Sequence, residues 1–542
     1  MAEAKKQSFL HGAAILTAGV VVMKILGAIY KIPLQNILGD TGYGYFFAAY
    51  SIYNVMLTIS TAGLPVALSR MISQANTLER PMQARRIFRI AMVTLCVLGA
   101  LFSLVMFLFP TEIAIAFVSK AEVSQCVYAL SPAVLLVCIT SAYRGYIQGH
   151  GNMTPTTVGQ VLEVLVKVIV GLGLALWLTR AGKSLPISSA GAIFGVTAGS
   201  LAALIYMLWC YLRQYRGKSP DTLPSGPDSP DSVGQTFATF LKISIAITLG
   251  ASVMSLISLI DTKLIQQYLP GVEGIGEALA DELYGSYSAM QTLYNLPAAF
   301  VTPMTIAVVP AISAAVARRA QREAVEIAES GLRISVVVSL PMGLGLAVLA
   351  EPIVRAIYPN TNAMGPAILR YLGVASVFVC IALVSNAILQ ANGNERLPVV
   401  SMVAGGVVKV VCNLLLVRRP EINILGACIG TIACYAVICL LNCVFLSHSL
   451  HPAPRYGRVF LRPLCAGLVM GAAAWAVYGI AARLLGVDAA SGRLIRIAAL
   501  GVAIAVAAVV YLVMVVVTRS ITMEDMKRIP KGEKLGKLLR IK

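Results

Sequence analysis

The sequence predicts an all-α polytopic membrane protein with about fourteen transmembrane helices, in two repeated six-helix lobes followed by two further helices. Hydrophobic residues make up 58% of the 542 residues and charged residues only 12%, whereas a soluble domain carries about 25% charged residues. A single soluble core stops growing near about 250–300 residues. This much apolar sequence therefore indicates a chain that crosses a membrane repeatedly.

The second observation is an internal repeat. Three short motifs recur at nearly one interval: SIYN (51–54) as TLYN (292–295), QGHGN (148–152) as QANGN (390–394), and VKV (166–168) as VKV (408–410). Membrane transporters are often built from two such halves, with the substrate path between them. The repeat therefore favours a transport mechanism before any residue is assigned a role.

A transmembrane helix needs about 20 mostly apolar residues. The segments that meet this requirement are 9–30, 42–68, 87–110, 124–147, 156–179, 188–212, 238–265, 283–314, 328–350, 366–390, 397–418, 424–447, 460–483 and 495–518. Segments 42–68 and 283–314 are the most polar, which suits helices that line a cavity. In the second of these, Pro297, Pro303 and Pro310 predict kinks.

A segment rich in Pro, Ser and Asp between the sixth and seventh spans indicates a linker. The predicted limits are an N-terminal lobe (1–212), a cytoplasmic linker (213–237), a C-terminal lobe (238–447), an extra helix pair (448–518) and a basic cytoplasmic tail (519–542).

The distribution of Lys and Arg predicts the orientation. These residues cluster in the loops on the side of the N-terminus, so both termini are expected in the cytoplasm. The net charge of +19 is then largely a consequence of topology. The basic tail is expected to lie against anionic lipids, and binding to nucleic acid is not expected.

Basic residues inside spans are costly and are therefore candidates for function. The predicted cationic cavity consists of Lys24, Lys31, Lys263 and Lys409. Lys409 repeats Lys167, which can pair with Glu163 four residues earlier. Gly405 occupies the position that matches Glu163, so Lys409 lacks that local partner. The alternative for these lysines is a structural contact or a side chain that reaches the membrane surface.

Asp261 and Glu163 are the carboxylates well inside spans. Either could couple transport to H⁺ or Na⁺, or could form a structural ion pair with another helix. Arg70 and Arg144 end spans, where they are expected to anchor the interface or to gate the cavity.

Polar side chains on the second and eighth spans predict a polar part of the cavity. Its predicted members are Tyr53, Asn54, Gln291, Tyr294 and Asn295, with Tyr43 and Tyr50 nearby. Such groups suit sugar hydroxyls, and they equally suit hydrogen bonds between helices.

No enzyme, cofactor or metal site is predicted. The sequence contains no Gly-rich nucleotide motif, nucleophile elbow or zinc-protease motif. The eleven cysteines are scattered without a CxxC pair.

Four segments carry a resemblance to a known family. They are KILGAIYKIPLQNILGDTGYGYF (24–46), TISTAGLPVALSRMIS (58–73), ILQANGNERLPV (388–399) and ITMEDMKRIPKGEKLGKLL (521–539). The chain resembles the MOP exporter superfamily, and within it the stage V sporulation protein B branch of the polysaccharide and lipid II flippases.

The resemblance implies two six-helix lobes around a cationic cavity in the bacterial cytoplasmic membrane. It implies transport of an undecaprenyl-pyrophosphate-linked precursor, with lipid II favoured and another lipid-linked polysaccharide as an alternative. The first basic position of the family's first span falls on Lys24 and the next on Tyr30, beside Lys31. The arginine of the second span falls near Leu57 and Thr58, so it is missing here.

Transport of this kind could be coupled to the membrane potential, H⁺ or Na⁺. Two other functions stay open from the sequence: an antiporter for small organic cations on the same fold, and a membrane scaffold that transports nothing.

Overall fold

The structure is a computed structural model that describes residues 9–214, 231–486 and 493–521. Within these ranges all regular structure is helical. The contacts divide the chain into two compact units, Met1–Gln267 and Tyr268–Lys542. This confirms the predicted all-α class.

The first unit contains eight α-helices in the described ranges. They are α1 (Phe9–Thr61), α2 (Leu64–Thr77), α3 (Pro81–Leu108), α4 (Pro110–Val118), α5 (Ser124–Gly149), α6 (Thr154–Arg180), α7 (Leu185–Gln214) and α8 (Val233–Tyr268). Helix α1 packs on α5, α6 and α7, while α3 packs on α5.

The second unit contains a comparable series and a terminal pair. Its helices are α9 (Glu277–Tyr294), α10 (Leu296–Ala317), α11 (Gln321–Val348), α12 (Ala350–Ile357), α13 (Gly365–Ala391), α14 (Arg396–Leu416), α15 (Leu425–Ser449), α16 (Tyr456–Leu484) and α17 (Arg493–Val517). Helix α13 packs on α9, α10, α11 and α15, and α16 packs on α11 and α17.

The repeat predicted from the three motifs is visible in the helix order. The series α3 to α7 has its counterpart in α11 to α15, including the short helices α4 and α12. The two QxxGN motifs form the same turn, since Gly151 has a φ of 79° and Gly393 a φ of 84°. Glycine reaches this left-handed conformation without steric cost, so both turns require it.

Helix α1 is 53 residues long and bends at Gly39, whose φ is 69° and ψ is −180°. It takes the place of the first two predicted spans. The predicted span 283–314 is broken at Asn295, between α9 and α10. Helix α10 begins at Leu296, and Pro297 lies in its first turn. Proline has no backbone N–H, and in the first turn of a helix that group would have no partner within the helix.

Twelve helices in the described ranges are long and apolar enough to cross a membrane. The chain is thus a multi-pass membrane protein. The count of fourteen spans stays a prediction.

Helix α8 belongs to the first unit, although the predicted C-terminal lobe begins at residue 238. The reason lies in its contacts. The Thr58 and Ser255 hydroxyl oxygens are 3.0 Å apart, and the Gly63 backbone N–H donates to the Thr248 hydroxyl. A Cβ on Gly63 would lie 2.1 Å from the Ser244 carbonyl oxygen. Residues 215–230 of the predicted linker lie outside the described ranges, and the predicted domain limits stay a prediction.

Candidate functional site

A row of aromatic rings runs along the second half of α1. Tyr43, Phe46, Tyr50 and Tyr53 are spaced by three, four and three residues, which places them on one face of the helix. Their successive ring centres are 5.8, 6.1 and 5.9 Å apart. Tyr43, Phe46 and Tyr53 are buried, whereas Tyr50 is half-buried. This row therefore presents Tyr50 at the surface of the unit.

Two lysines from different helices lie over the Tyr50 ring. The Lys31 ammonium nitrogen is 5.9 Å from its centre, and the Lys167 ammonium nitrogen is 5.6 Å from the same centre. Both lysines are half-buried. An aromatic face attracts a cation through its quadrupole, so the Tyr50 ring interacts with both ammonium groups.

Each lysine also contacts a second ring. Lys31 lies 5.8 Å from the centre of Phe47, and Lys167 lies 5.5 Å from the centre of Tyr30. The name Lys31–Lys167 cluster is used below for these two lysines and the rings of Tyr30, Phe47 and Tyr50.

Close packing of α6 on α7 positions Lys167. A Cβ on Gly195 would lie 2.7 Å from the Gly171 backbone and from the Lys167 carbonyl oxygen. Small residues let membrane helices approach backbone to backbone. Tyr30 is fixed to α7 as well, because its hydroxyl donates to the Ala192 carbonyl over 2.8 Å.

Glu163 pairs with Arg144, whereas the sequence predicted Lys167 as its partner. The Arg144 guanidinium donates to the Glu163 carboxylate over 2.6 Å. Their side chains retain 13% and 23% of their exposure. Because Arg144 neutralises this carboxylate from α5, Lys167 is directed to the tyrosines instead.

Helix α8 carries two of the predicted site residues. The Lys263 ammonium donates to the carbonyl of Ala116 over 2.6 Å, near the C-terminal end of α4. That end carries partial negative charge, so a cation is stabilised there. Asp261 is buried, with 4% of its surface exposed. The cavity role of Lys263 and the coupling role of Asp261 stay predictions.

The second unit places Lys409 in a buried position on α14. On α9, Tyr294 is buried and Gln291 is half-buried. The Asn295 amide donates to the Gln291 carbonyl over 2.7 Å, so Asn295 closes the end of α9.

The remaining predicted residues are less informative. Arg70 is exposed on α2, and Asn54 is half-buried on α1. The backbone of Lys24 lies in α1, but its side chain lies outside the described part of the structure. The basic tail from residue 522 onward also lies outside it.

The structure thus brings Lys31, which was predicted as a site residue, together with Lys167, Tyr30 and Phe47, which were not. The signal for Lys167 was present in the sequence, because its VKV motif is one of the three that recur. The four-residue spacing alone indicated that Lys167 could pair with Glu163.

The cluster is suited to bind an anion with several oxygens. Each ammonium group carries a positive charge and can donate hydrogen bonds to anion oxygens, and the neighbouring rings give the cluster an apolar surface.

Comparisons with known proteins agree with this fold. The family described as "Polysaccharide biosynthesis protein" matches residues 9–316, more than half of the chain. The MatE family matches residues 278–415.

Three proteins of Bacillus subtilis (strain 168) are similar over most of their length. The uncharacterized membrane protein YabM is 28% identical, over 99% of this chain and 97% of that protein. Stage V sporulation protein B is 25% identical, over 82% and 85%. The lipid II flippase MurJ is 25% identical, over 78% and 80%.

Solved structures show the same fold. Lipid II flippase MurJ in an inward closed conformation has a TM-score of 0.69 at 14% identity, over 93% of this chain and 98% of that chain. An inward-facing MATE family multidrug resistance transporter of the MOP superfamily has a TM-score of 0.63 at 14% identity, over 79% and 98%. The resemblance seen in the sequence is confirmed: the chain belongs to the family described as "Polysaccharide biosynthesis protein", and it shares its fold with these solved structures.

Proposed function

We propose that the protein is a flippase for a lipid-linked, pyrophosphate-containing cell-wall precursor, with lipid II as the favoured substrate. It works without enzymatic chemistry in the bacterial cytoplasmic membrane, with both termini in the cytoplasm. The observation that carries the proposal is the Lys31–Lys167 cluster, which gathers two ammonium groups over one tyrosine ring.

The physical problem in moving such a precursor is the pyrophosphate. Taking an anion out of water costs several kcal/mol unless it is paired. Two half-buried ammonium groups offer that pairing, and their own desolvation is partly offset by the aromatic rings. Lys24, Lys263 and Lys409 extend this set as predicted contributors, and Asp261 is the predicted link to a cation gradient.

An apolar groove in the second unit fits a polyprenyl chain. It has a volume of about 330 Å³. Helices α11, α16 and α17 contribute Pro341, Met342, Met470, Ala474 and Ala508 to its walls, among other apolar residues. A lipid tail would make van der Waals contacts with the apolar walls of this groove without leaving the bilayer.

The pairing of Glu163 disfavours the alternative of an organic-cation antiporter. Such an antiporter needs acidic groups in its cavity, and Arg144 already neutralises one of the two candidate carboxylates. The cluster that the first unit presents is cationic, which would repel an organic cation.

The experiment is an equilibrium binding measurement on the purified protein in nanodiscs. Fluorescent lipid II is titrated against wild type, against Lys31→Ala/Lys167→Ala, and against Lys183→Ala/Lys242→Ala. The control lysines are exposed and carry the same charge change. Each charge-assisted contact contributes about 1.5 kcal/mol or more, so the cluster variant should bind on the order of a hundredfold more weakly.

Undecaprenyl monophosphate serves as a second ligand, because it shares the tail and lacks one phosphate. It should lose less affinity than lipid II in the cluster variant. Wild-type affinity of the cluster variant for lipid II would overturn the assignment of the pyrophosphate to these lysines.

A further inference from the structure

A basic groove lies between α3 and α8, both in the first unit and away from the Lys31–Lys167 cluster in the fold. Its volume is about 600 Å³. The residues that line it are Met82, Arg85, Arg86, Arg89, Ile90, Val93, Thr94, Val233 and Phe237.

The α3 wall is a single stripe of the helix. Its members follow one another at alternating intervals of three and one residues, so that each has a neighbour three or four residues away on the same side of the helix. Along this stripe the chemistry changes from basic to apolar. Arg85, Arg86 and Arg89 occupy the first turns of α3, and Ile90 and Val93 follow toward the membrane interior.

This order matches the order of groups in a phospholipid. Helix α3 is strongly apolar, and most of its apolar segment is not buried within the protein, so this helix faces lipid. A lipid phosphate would meet the arginines at the membrane surface, and the acyl chains would follow the apolar part of the stripe. Val93, 58% exposed, and Phe237, 41% exposed, supply apolar surface for the chains.

The groove is held in shape by contacts at the start of α8. The Arg80 guanidinium pairs with the Asp231 carboxylate over 2.9 Å, and the Gln83 amide donates to the same carboxylate over 3.1 Å. The Arg86 guanidinium donates to the Asp231 carbonyl. Asp231 therefore fixes the start of α8 against α3.

The repeat shows that the fold does not require these arginines. Helices α3 and α11 begin at Pro81 and Gln321, so the positions that match Arg85, Arg86 and Arg89 are Val325, Glu326 and Glu329. Two of these three matching positions carry glutamate and none carries a basic residue. The basic stripe is therefore specific to the first unit.

We infer that this groove binds an anionic membrane phospholipid of the inner leaflet, through the Arg85–Arg89 stripe and the apolar wall behind it. The inference is independent of the transported substrate. Basic pockets between membrane helices on the cytoplasmic side are suited to anionic headgroups, and each basic residue near the surface strengthens binding about fivefold.

The test is native mass spectrometry of the purified full-length protein with dioleoyl phosphatidylglycerol, and with dioleoyl phosphatidylcholine as the zwitterionic reference. The variant Arg85→Gln/Arg89→Gln keeps Arg86 and its contact with Asp231. The matched control is Arg319→Gln/Arg322→Gln, which removes the same charge at the start of α11. A second variant, Val93→Trp, fills the apolar part of the groove and keeps every arginine.

Wild type should bind phosphatidylglycerol in preference to phosphatidylcholine. The arginine variant should bind it about thirtyfold more weakly, Val93→Trp should also lose binding, and the α11 control should not. Wild-type binding by Arg85→Gln/Arg89→Gln would overturn the inference. Equal loss of phosphatidylglycerol binding in the α11 control would overturn it as well, because the lipid would then respond to the overall surface charge and not to this groove.

Two further results would also overturn it. Inorganic phosphate that displaces the lipid at equal concentration, with Val93→Trp unaffected, would mean a site for a free anion only. Displacement by undecaprenyl phosphate at lower concentration than phosphatidylglycerol itself would assign the groove to the transport path.

Discussion

At the scale of single residues, the charges of the first unit are arranged by partners that are distant in the sequence. Glu163 could have paired with Lys167 one turn away, but Arg144 on α5 takes that place. Lys167 is thereby left to approach Tyr30 and Tyr50. The ion pair between α5 and α6 thus sets the chemistry of the neighbouring cationic cluster.

This arrangement predicts the effect of Glu163→Gln. The variant leaves the Arg144 guanidinium, with a side chain only 13% exposed, without its charged partner. Leaving a largely buried charged group poorly satisfied costs roughly 1–3 kcal/mol. Thermal unfolding in detergent should therefore show a clear loss of stability.

The control is Glu323→Gln, which breaks the Arg318–Glu323 pair. That pair is joined over 2.9 Å, and its side chains are 63% and 44% exposed. An exposed pair contributes about 0–1 kcal/mol. Equal destabilisation by the two variants would show that the Arg144–Glu163 pair contributes no more to stability than an exposed ion pair.

At the scale of helices, the contact between α6 and α7 controls where Lys167 lies. Gly195 meets the backbone of Gly171 and the carbonyl of Lys167 itself. The packing leaves no room for a methyl group. Helix α7 also holds Tyr30 through Ala192, so both sides of the cluster depend on one helix.

We therefore expect Gly195→Ala to separate α6 from α7. Overpacking of a tight contact costs about 1–3 kcal/mol, and the shift of α6 would move Lys167 away from Tyr50. Melting temperature and lipid II affinity should both fall.

Gly173→Ala is the control, because a Cβ there meets nothing within 4 Å and the residue lies on α6, the helix against which Gly195 packs. Unchanged lipid II affinity in Gly195→Ala, with stability lost, would separate the helix contact from the position of Lys167.

The same helices show which features the sequence could predict. The class, the repeat and most spans follow from apolar length and recurring motifs, since these are local properties. The sequence predicted one span over 283–314, yet the chain breaks at Asn295, where an amide closes α9 and Pro297 starts α10.

The candidate site was less predictable, because its contacts join distant segments. Nothing near Lys263 in the sequence indicates that it reaches the end of α4 at Ala116. The partner of Glu163 lies on another helix as well. The spacing of residues in the sequence predicts contacts within one helix, whereas these side chains contact residues on other helices.

At the scale of the whole molecule, a duplicated fold carries charges that differ between its copies. Lys167 and Lys409 occupy repeat-related positions, but Lys167 is half-buried beside tyrosines and Lys409 is buried. The basic stripe of α3 corresponds to Val325, Glu326 and Glu329 on α11. The duplication therefore supplies the framework, and the charged residues of its two copies have diverged.

The protein is proposed to transport a lipid-linked pyrophosphate. The most direct measurement of that transport follows labelled lipid II across the bilayer of proteoliposomes. Wild type and Lys183→Ala/Lys242→Ala should make the label accessible from the opposite side. The rate with Lys31→Ala/Lys167→Ala should fall by at least about tenfold, which corresponds to losing about 1.4 kcal/mol of stabilisation. Transfer by the cluster variant at the wild-type rate, or no transfer by folded wild-type protein, would contradict the account.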